Sequence, residues 1–102
     1  MTFLRKLFLL GHRKIKINYV EVPDPNIIIG DKVFSELGVW LPDVGEVFIN
    51  KSVPEADQKT TLIHEMIHAI DSYFKIDLKE KQVELLANGL HMFLEQNKLL
   101  NE

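Results

Sequence analysis

Apolar positions along the chain change period near its middle. Before about residue 50 they alternate in short runs broken by turn residues; after it they recur at helical spacing. Residues 14–22 read KIKINYVEV. Ile15, Ile17 and Tyr19 fall on one side of a strand and Asn18, Val20 and Val22 on the other. The PDPN stretch at 23–26 ends that strand, because proline disfavours helix in the residue before it and supplies turn geometry. Ile27, Ile28 and Ile29 predict another strand, and residues 31–36 fit a helical turn. Residues 37–41 (LGVWL) and 46–50 (EVFIN) flank PDVG, which predicts a hairpin with a four-residue loop. Residues 1–10 fit either a short amphipathic helix or a first strand packed on the domain.

The second half predicts two helices. Leu62, Ile63, Met66, Ile67 and Ile70 give the first an apolar face, with Asp57 or Thr60 as its cap and an end near Phe74. Val83, Leu86, Ala87, Leu90 and Leu94 give the second an apolar stripe, running to about Lys98. Asp77 stands three residues before Glu80 in capping-box spacing. The expected fold class is α+β: a small, mostly antiparallel sheet packed against the first helix and a long C-terminal helix.

Composition narrows the chemistry. At 102 residues, 1–102 is read as one domain. Twelve Lys and Arg against fifteen Asp and Glu leave a net charge of −3, so no positive field grips a nucleic-acid backbone. The absence of cysteine excludes a disulfide scaffold, a zinc finger and a thiol nucleophile. The apolar run in residues 1–10 is too short for a secretory leader, and no run approaches the ~20 residues a membrane span needs. A cytoplasmic protein without membrane or nucleic-acid partners is expected; nothing specifies an oligomeric state.

One motif carries chemistry. His64-Glu65-Met66-Ile67-His68 has the form H-E-x-x-H. With 4 histidines and 9 glutamates in the chain, about 0.013 chance occurrences are expected. Residues four apart stack on a helix, so both imidazoles can reach one ion. Glu65, offset by one position, can approach the open coordination position and take a proton from bound water. The spacing therefore points to Zn(2+) held by His64 and His68, with Glu65 as catalytic base.

A third ligand must come from elsewhere, and cysteine is not available. Asp71, Glu80, Glu84 and His91 are the candidates. Asp71 lies three residues past His68, but three ligands from one straight helix enclose an ion poorly; its alternative is to hold an imidazole N–H. At about 100° per residue, Glu80 lies nearer the apolar stripe of the second helix than Glu84. That favours Glu80 and leaves Glu84 and Asp71 as alternatives. His91 sits eleven residues beyond Glu80, about 16 Å along the axis, too far to share its ion. His12, Tyr19 and Tyr73 are given no catalytic part, and Trp40 is read as a core or rim anchor.

GVWLPDVGEVFIN, TTLIHEMIHAI and EKQVELLANGL followed by FLEQN, between residues 38 and 97, resemble small HExxH zinc-metallopeptidase-like proteins of phages and prophages. These are relatives of the repressor-cleaving peptidases of phages and integrative elements. The family pattern E-x-x-V-x-x-L-x-x-G-L matches Glu80, Val83, Leu86, Gly89 and Leu90. The chain departs from it at His91, where an aromatic residue is common. The resemblance implies a minimal gluzincin-like (zincin-like) domain with Glu80 as third ligand. The expected function is zinc-dependent peptide-bond hydrolysis, with a protein or peptide as substrate. The alternative is a metal-stabilised binding or regulatory module without turnover. An exposed edge on strand 46–50 could receive an extended peptide, and residues 1–10 could cover the cleft.

Overall fold

A computed structural model describes residues 7–21, 27–29, 32–34 and 38–99. It is an α+β structure of six strands followed by two helices: β1 (Leu7–Leu10), β2 (Arg13–Val20), β3 (Ile27–Ile29), β4 (Lys32–Phe34), β5 (Gly38–Leu41), β6 (Glu46–Asn50), α1 (Glu55–Phe74) and α2 (Glu80–Gln96). β1, β2, β6 and β5 form one sheet in that order, and β3 and β4 form a separate antiparallel pair. Of the stretch read as a helical turn, residues 32–34 are β4; the 23–26 turn lies outside the described residues.

The sheet is mixed. β1–β2 and β5–β6 are antiparallel, as expected of the sequence, but the central β2–β6 pair is parallel, with Ile17 opposite Val47 and Tyr19 opposite Ile49. Alternation along a strand reports which side chains share a face and says nothing of direction. A parallel partner needs only a long enough crossover, which here contains β3–β4 and β5. The hairpin is as read: Gly45, at φ +68°, donates its N–H to the Leu41 carbonyl at 3.0 Å and closes the 42–45 loop. β6 lies between β2 and β5, so it offers no free edge; among the described residues the edge strands of this sheet are β1 and β5.

α1 is buried on two sides. Leu62 and Ala69, with Met66 beside them, pack under Ile15, Ile17, Trp40, Val47 and Ile49 of the sheet. Ile63 and Ile67 turn to α2 and meet Val83 and Ala87, flanked by Leu78 and Leu94. Val39, Leu41, Val20 and Phe48 cover the other face of the sheet. Gly38 sets how near α1 comes to β5, since a Cβ there would stand 2.7 Å from the Thr61 methyl and 2.8 Å from the Phe48 carbonyl.

Neither end of the helix pair is capped as the sequence suggested. α1 begins at Glu55 behind Pro54. The Thr60 and Thr61 hydroxyls donate back to the Ala56 and Asp57 carbonyls within the first turns. The approach from β6 is held instead by Gln58, whose side-chain amide donates to the Val53 carbonyl at 2.9 Å, and by Ser52 N–H on the Asn50 side chain. α2 begins at Glu80, with Gln82 Oε1 accepting the Lys79 N–H at 2.8 Å. Asp77 lies outside the helix, and Glu80 takes no part in a capping box.

The stripe of α2 is also rotated from the expected one. Val83 and Ala87 are buried, whereas Leu86 and Leu90 are 51% and 43% exposed. Leu85, Met92 and Phe93 are exposed as well. The apolar residues of α2 spread well beyond one narrow stripe, from Ala87 and Val83 round to Phe93 and Leu85, so the pattern alone did not determine which part faces α1. Val83→Ala should therefore destabilise the chain by about 2 kcal/mol through a cavity at the helix interface. Leu86→Ala should stay within about 0.5 kcal/mol. Urea denaturation of the two variants measures this; the reverse ranking would contradict the packing.

Candidate metal centre

The third face of α1 carries the motif. Taking Leu62 as the sheet direction and about 100° per residue, Ile63 and Ile67 lie near 100–140° and His64 and His68 near 200–240°. Burial agrees, for Ile63 and Ile67 are each 8% exposed, while the His64 and His68 side chains are 23% and 28% exposed. The H-E-x-x-H helix thus presents both imidazoles away from its two packed faces. Glu65 falls near 300°, between the histidines and the sheet, and is buried at 8% exposure.

Glu80 completes the group. It is the first residue of α2, where a carboxylate is favoured by the positive end of the helix dipole. One of its oxygens lies 2.7 Å from His64 Nε2 and the other 3.1 Å from His68 Nε2. The two imidazoles stand edge to face with centroids 5.0 Å apart. A donor atom from each of His64, His68 and Glu80 lies within 4.8 Å of the others. Tetrahedral zinc bonds of about 2.0–2.1 Å place donors about 3.3 Å apart. The two carboxylate–imidazole contacts, at 2.7 and 3.1 Å, are each a few tenths of an ångström shorter than that spacing.

Burial lowers the pKa of His68; the Glu80 carboxylate pulls the other way, the His64 imidazole adds to the lowering, and Asp71 opposes it. The neutral imidazole, the form that ligates a metal, is favoured by that environment. Two nitrogens and one carboxylate oxygen, from two helices, make a donor set that catalytic zinc uses with a fourth position left to water.

The other candidates separate from this group. Glu84 lies one turn further along α2 and approaches Lys81 at 3.9 Å. Asp71 turns its carboxylate to backbone amides, with Oδ1 accepting from Asp77 N–H at 2.6 Å and from Leu78 N–H at 3.2 Å. It therefore holds the inter-helix connection, a part the sequence reading did not give it. A signal was available: residues 75–79 read KIDLK, and a helix that stops without glycine needs another way to satisfy its exit. His91 packs beside α1 instead, with Nδ1 2.6 Å from Thr60 Oγ1. His12 lies in the β1–β2 turn. Tyr19 packs against the core, and burial pushes its phenol up to about 12. Trp40 is a core residue with the Arg13 guanidinium 5.3 Å above its ring. Residues 7–10 form the edge strand at the opposite end of the sheet from β5, with Phe8 and Leu10 packed into the core; residues 1–6 lie outside the described residues.

Among the described residues no helix is long and apolar enough to cross a membrane. Comparison with protein-family models, with curated proteins and with solved structures finds no match to this chain.

Proposed function

We propose that this chain is a minimal zinc-dependent metallopeptidase of zincin-like type, acting on a protein or peptide in the cytoplasm. The convergence of His64, His68 and Glu80 from two helices, with Glu65 on the flank of the same helix, is the observation that carries the reading. The likeness of residues 38–97 to phage and prophage HExxH proteins adds to it as resemblance alone.

Each residue has a part on this reading. His64, His68 and Glu80 hold the ion. Zinc supplies Lewis acidity, which lowers the pKa of a water and polarises a peptide carbonyl. The Glu65 carboxylate would accept a proton from the attacking water and return it to the departing amine, serving as base and then as acid. Its burial limits competing solvent. β5, the edge strand whose Gly38 abuts Thr61 of α1, is the strand to which an extended peptide would add, in place of β6.

The test is metal analysis and proteolysis by the same preparations. Wild type should bind one zinc and cleave an unfolded protein. Glu65→Gln should keep zinc and lose at least 100-fold in cleavage, whereas Glu80→Ala should bind zinc at least 100-fold more weakly, through the two histidines alone, and Glu84→Gln should keep it. Cleavage undiminished in Glu65→Gln would sink the peptidase reading. Zinc bound with no cleavage of any substrate would leave a metal-stabilised binding or regulatory module. Loss of zinc from Glu84→Gln but not Glu80→Ala would place the third ligand one turn along α2.

The pH dependence has a definite sign. His68 has a folded pKa below its usual value near 6.5, so below that value the unfolded chain binds more protons than the native one. The stability linked to neutral His68 is complete above about pH 6.5 and is lost as pH falls through the lower folded value. The melting temperature of chelator-treated protein should fall between pH 7.5 and 5. Zinc affinity should fall more steeply, because protons compete with the ion for the histidine nitrogens. Zinc affinity that is flat from pH 7.5 to 5 would argue against histidine ligation.

A further inference from the structure

We propose that Asp71 is the positioning residue of the metal centre. It does not ligate the ion; it gathers the backbone of the inter-helix connection so that Glu80 stands opposite His64 and His68. This rests on the reading of those three residues as metal ligands.

Four successive amides converge on Asp71. Its main-chain carbonyl accepts from Lys75 N–H and, at 3.1 Å, from Ile76 N–H. Its carboxylate accepts from the next two: Oδ1 from Asp77 N–H at 2.6 Å and from Leu78 N–H at 3.2 Å, with Oδ2 3.3 Å from Leu78 N–H. The connection so held is a costly one. Lys75 and Asp77 have φ of 55° and 69°, left-handed conformations that side-chain-bearing residues adopt reluctantly. Charge-assisted bonds from the two amides to a carboxylate offset that strain.

The consequence reaches Glu80 by a short path. Leu78, whose N–H is captured, packs with Ile63, Ile67 and Val83. Lys79 follows as the N-cap of α2, and Glu80 is the first helical residue. Asp71 itself stands on α1, three residues after His68. One side chain thus references the third ligand's helix to the helix that carries the other two. Glu80 is 67% exposed, so packing around its own side chain does little to orient it. Its direction must come from the backbone beneath it.

Competition with a chromophoric chelator on the full chain tests this, with Co(2+) absorption as a measure of coordination number. Asp71→Ala should bind zinc 10- to 100-fold more weakly than wild type, the range seen when a partner that orients ligands is removed. Asp71→Asn should bind within about threefold of wild type, since its amide oxygen accepts the same two N–H groups. In a Glu80→Ala background, Asp71→Ala should cause no further loss, because the residue acts only through Glu80. Wild-type affinity in Asp71→Ala overturns the proposal. So does additivity in the double variant, which would make Asp71 an independent ligand or an electrostatic influence on His68. An Asn variant as damaged as Ala overturns amide capture. Wild type that binds no zinc removes the metal reading itself, an outcome distinct from all of these. If Asp71→Ala does not fold, amide exchange in wild type decides: protected Asp77 and Leu78 N–H groups are expected, and exchange at unprotected loop rates overturns the proposal.

Discussion

The structure depends on one helix satisfying three demands at once. α1 must bury Leu62, Met66 and Ala69 under the sheet and Ile63 and Ile67 against α2. Only the remaining arc is left for polar side chains, and His64 and His68 occupy it. The histidines are consequently mounted on the most constrained element of the fold. A rotation of α1 that moved them would pull an apolar stripe away from the sheet, so ordinary core packing sets their direction at no separate cost.

Glu80 is constrained differently. A carboxylate that is two-thirds exposed keeps much of its hydration, so placing it near two imidazoles carries little desolvation penalty. Exposure also means that an ion pair with either histidine is worth little to stability. The arrangement contributes weakly as a salt bridge, and on the proposed reading it would gain much more as a ligand set. A bound ion would replace a solvent-screened contact with bonds to three donors, and its binding free energy would add to folding.

How far the sequence revealed this follows from the range of each signal. The H-E-x-x-H spacing needs only the pitch of a helix, so α1, its end at Phe74 and its paired imidazoles were legible. The β5–β6 hairpin was legible because Gly45 and Pro42 mark its loop. Glu80 could be preferred to Glu84 because an angle around α2 is also local. The facing side of α2 was not legible: its apolar arc runs from Ala87 and Val83 on to Leu90, Leu86 and Phe93, and only tertiary contact chooses which part of that arc is buried. The parallel β2–β6 pair was hidden for a similar reason, since strand direction depends on where the crossover returns. Asp71 was visible as an acid near the site, but its partners are backbone amides six and seven residues on, which side-chain patterns do not display.

The attachment of α2 connects these points. Over seventeen residues only Val83 and Ala87 are buried, and both are small. The helix is held mainly by that narrow seam, with Leu78 and Leu94 at its flanks. Polar contacts fasten both ends. At one end Lys59 approaches Glu95 at 3.2 Å and Thr60 meets His91. At the other, Glu80 meets the two histidines and Asp71 grips the incoming connection. A seam this thin contributes about as much as one or two well-buried aliphatic side chains, roughly 3–5 kcal/mol. An ion bound between α1 and α2 would be comparable to the whole seam. On the proposed reading, then, the metal closes the joint between the two helices that supply its ligands, and the same atoms that would position a reacting water also hold the fold together.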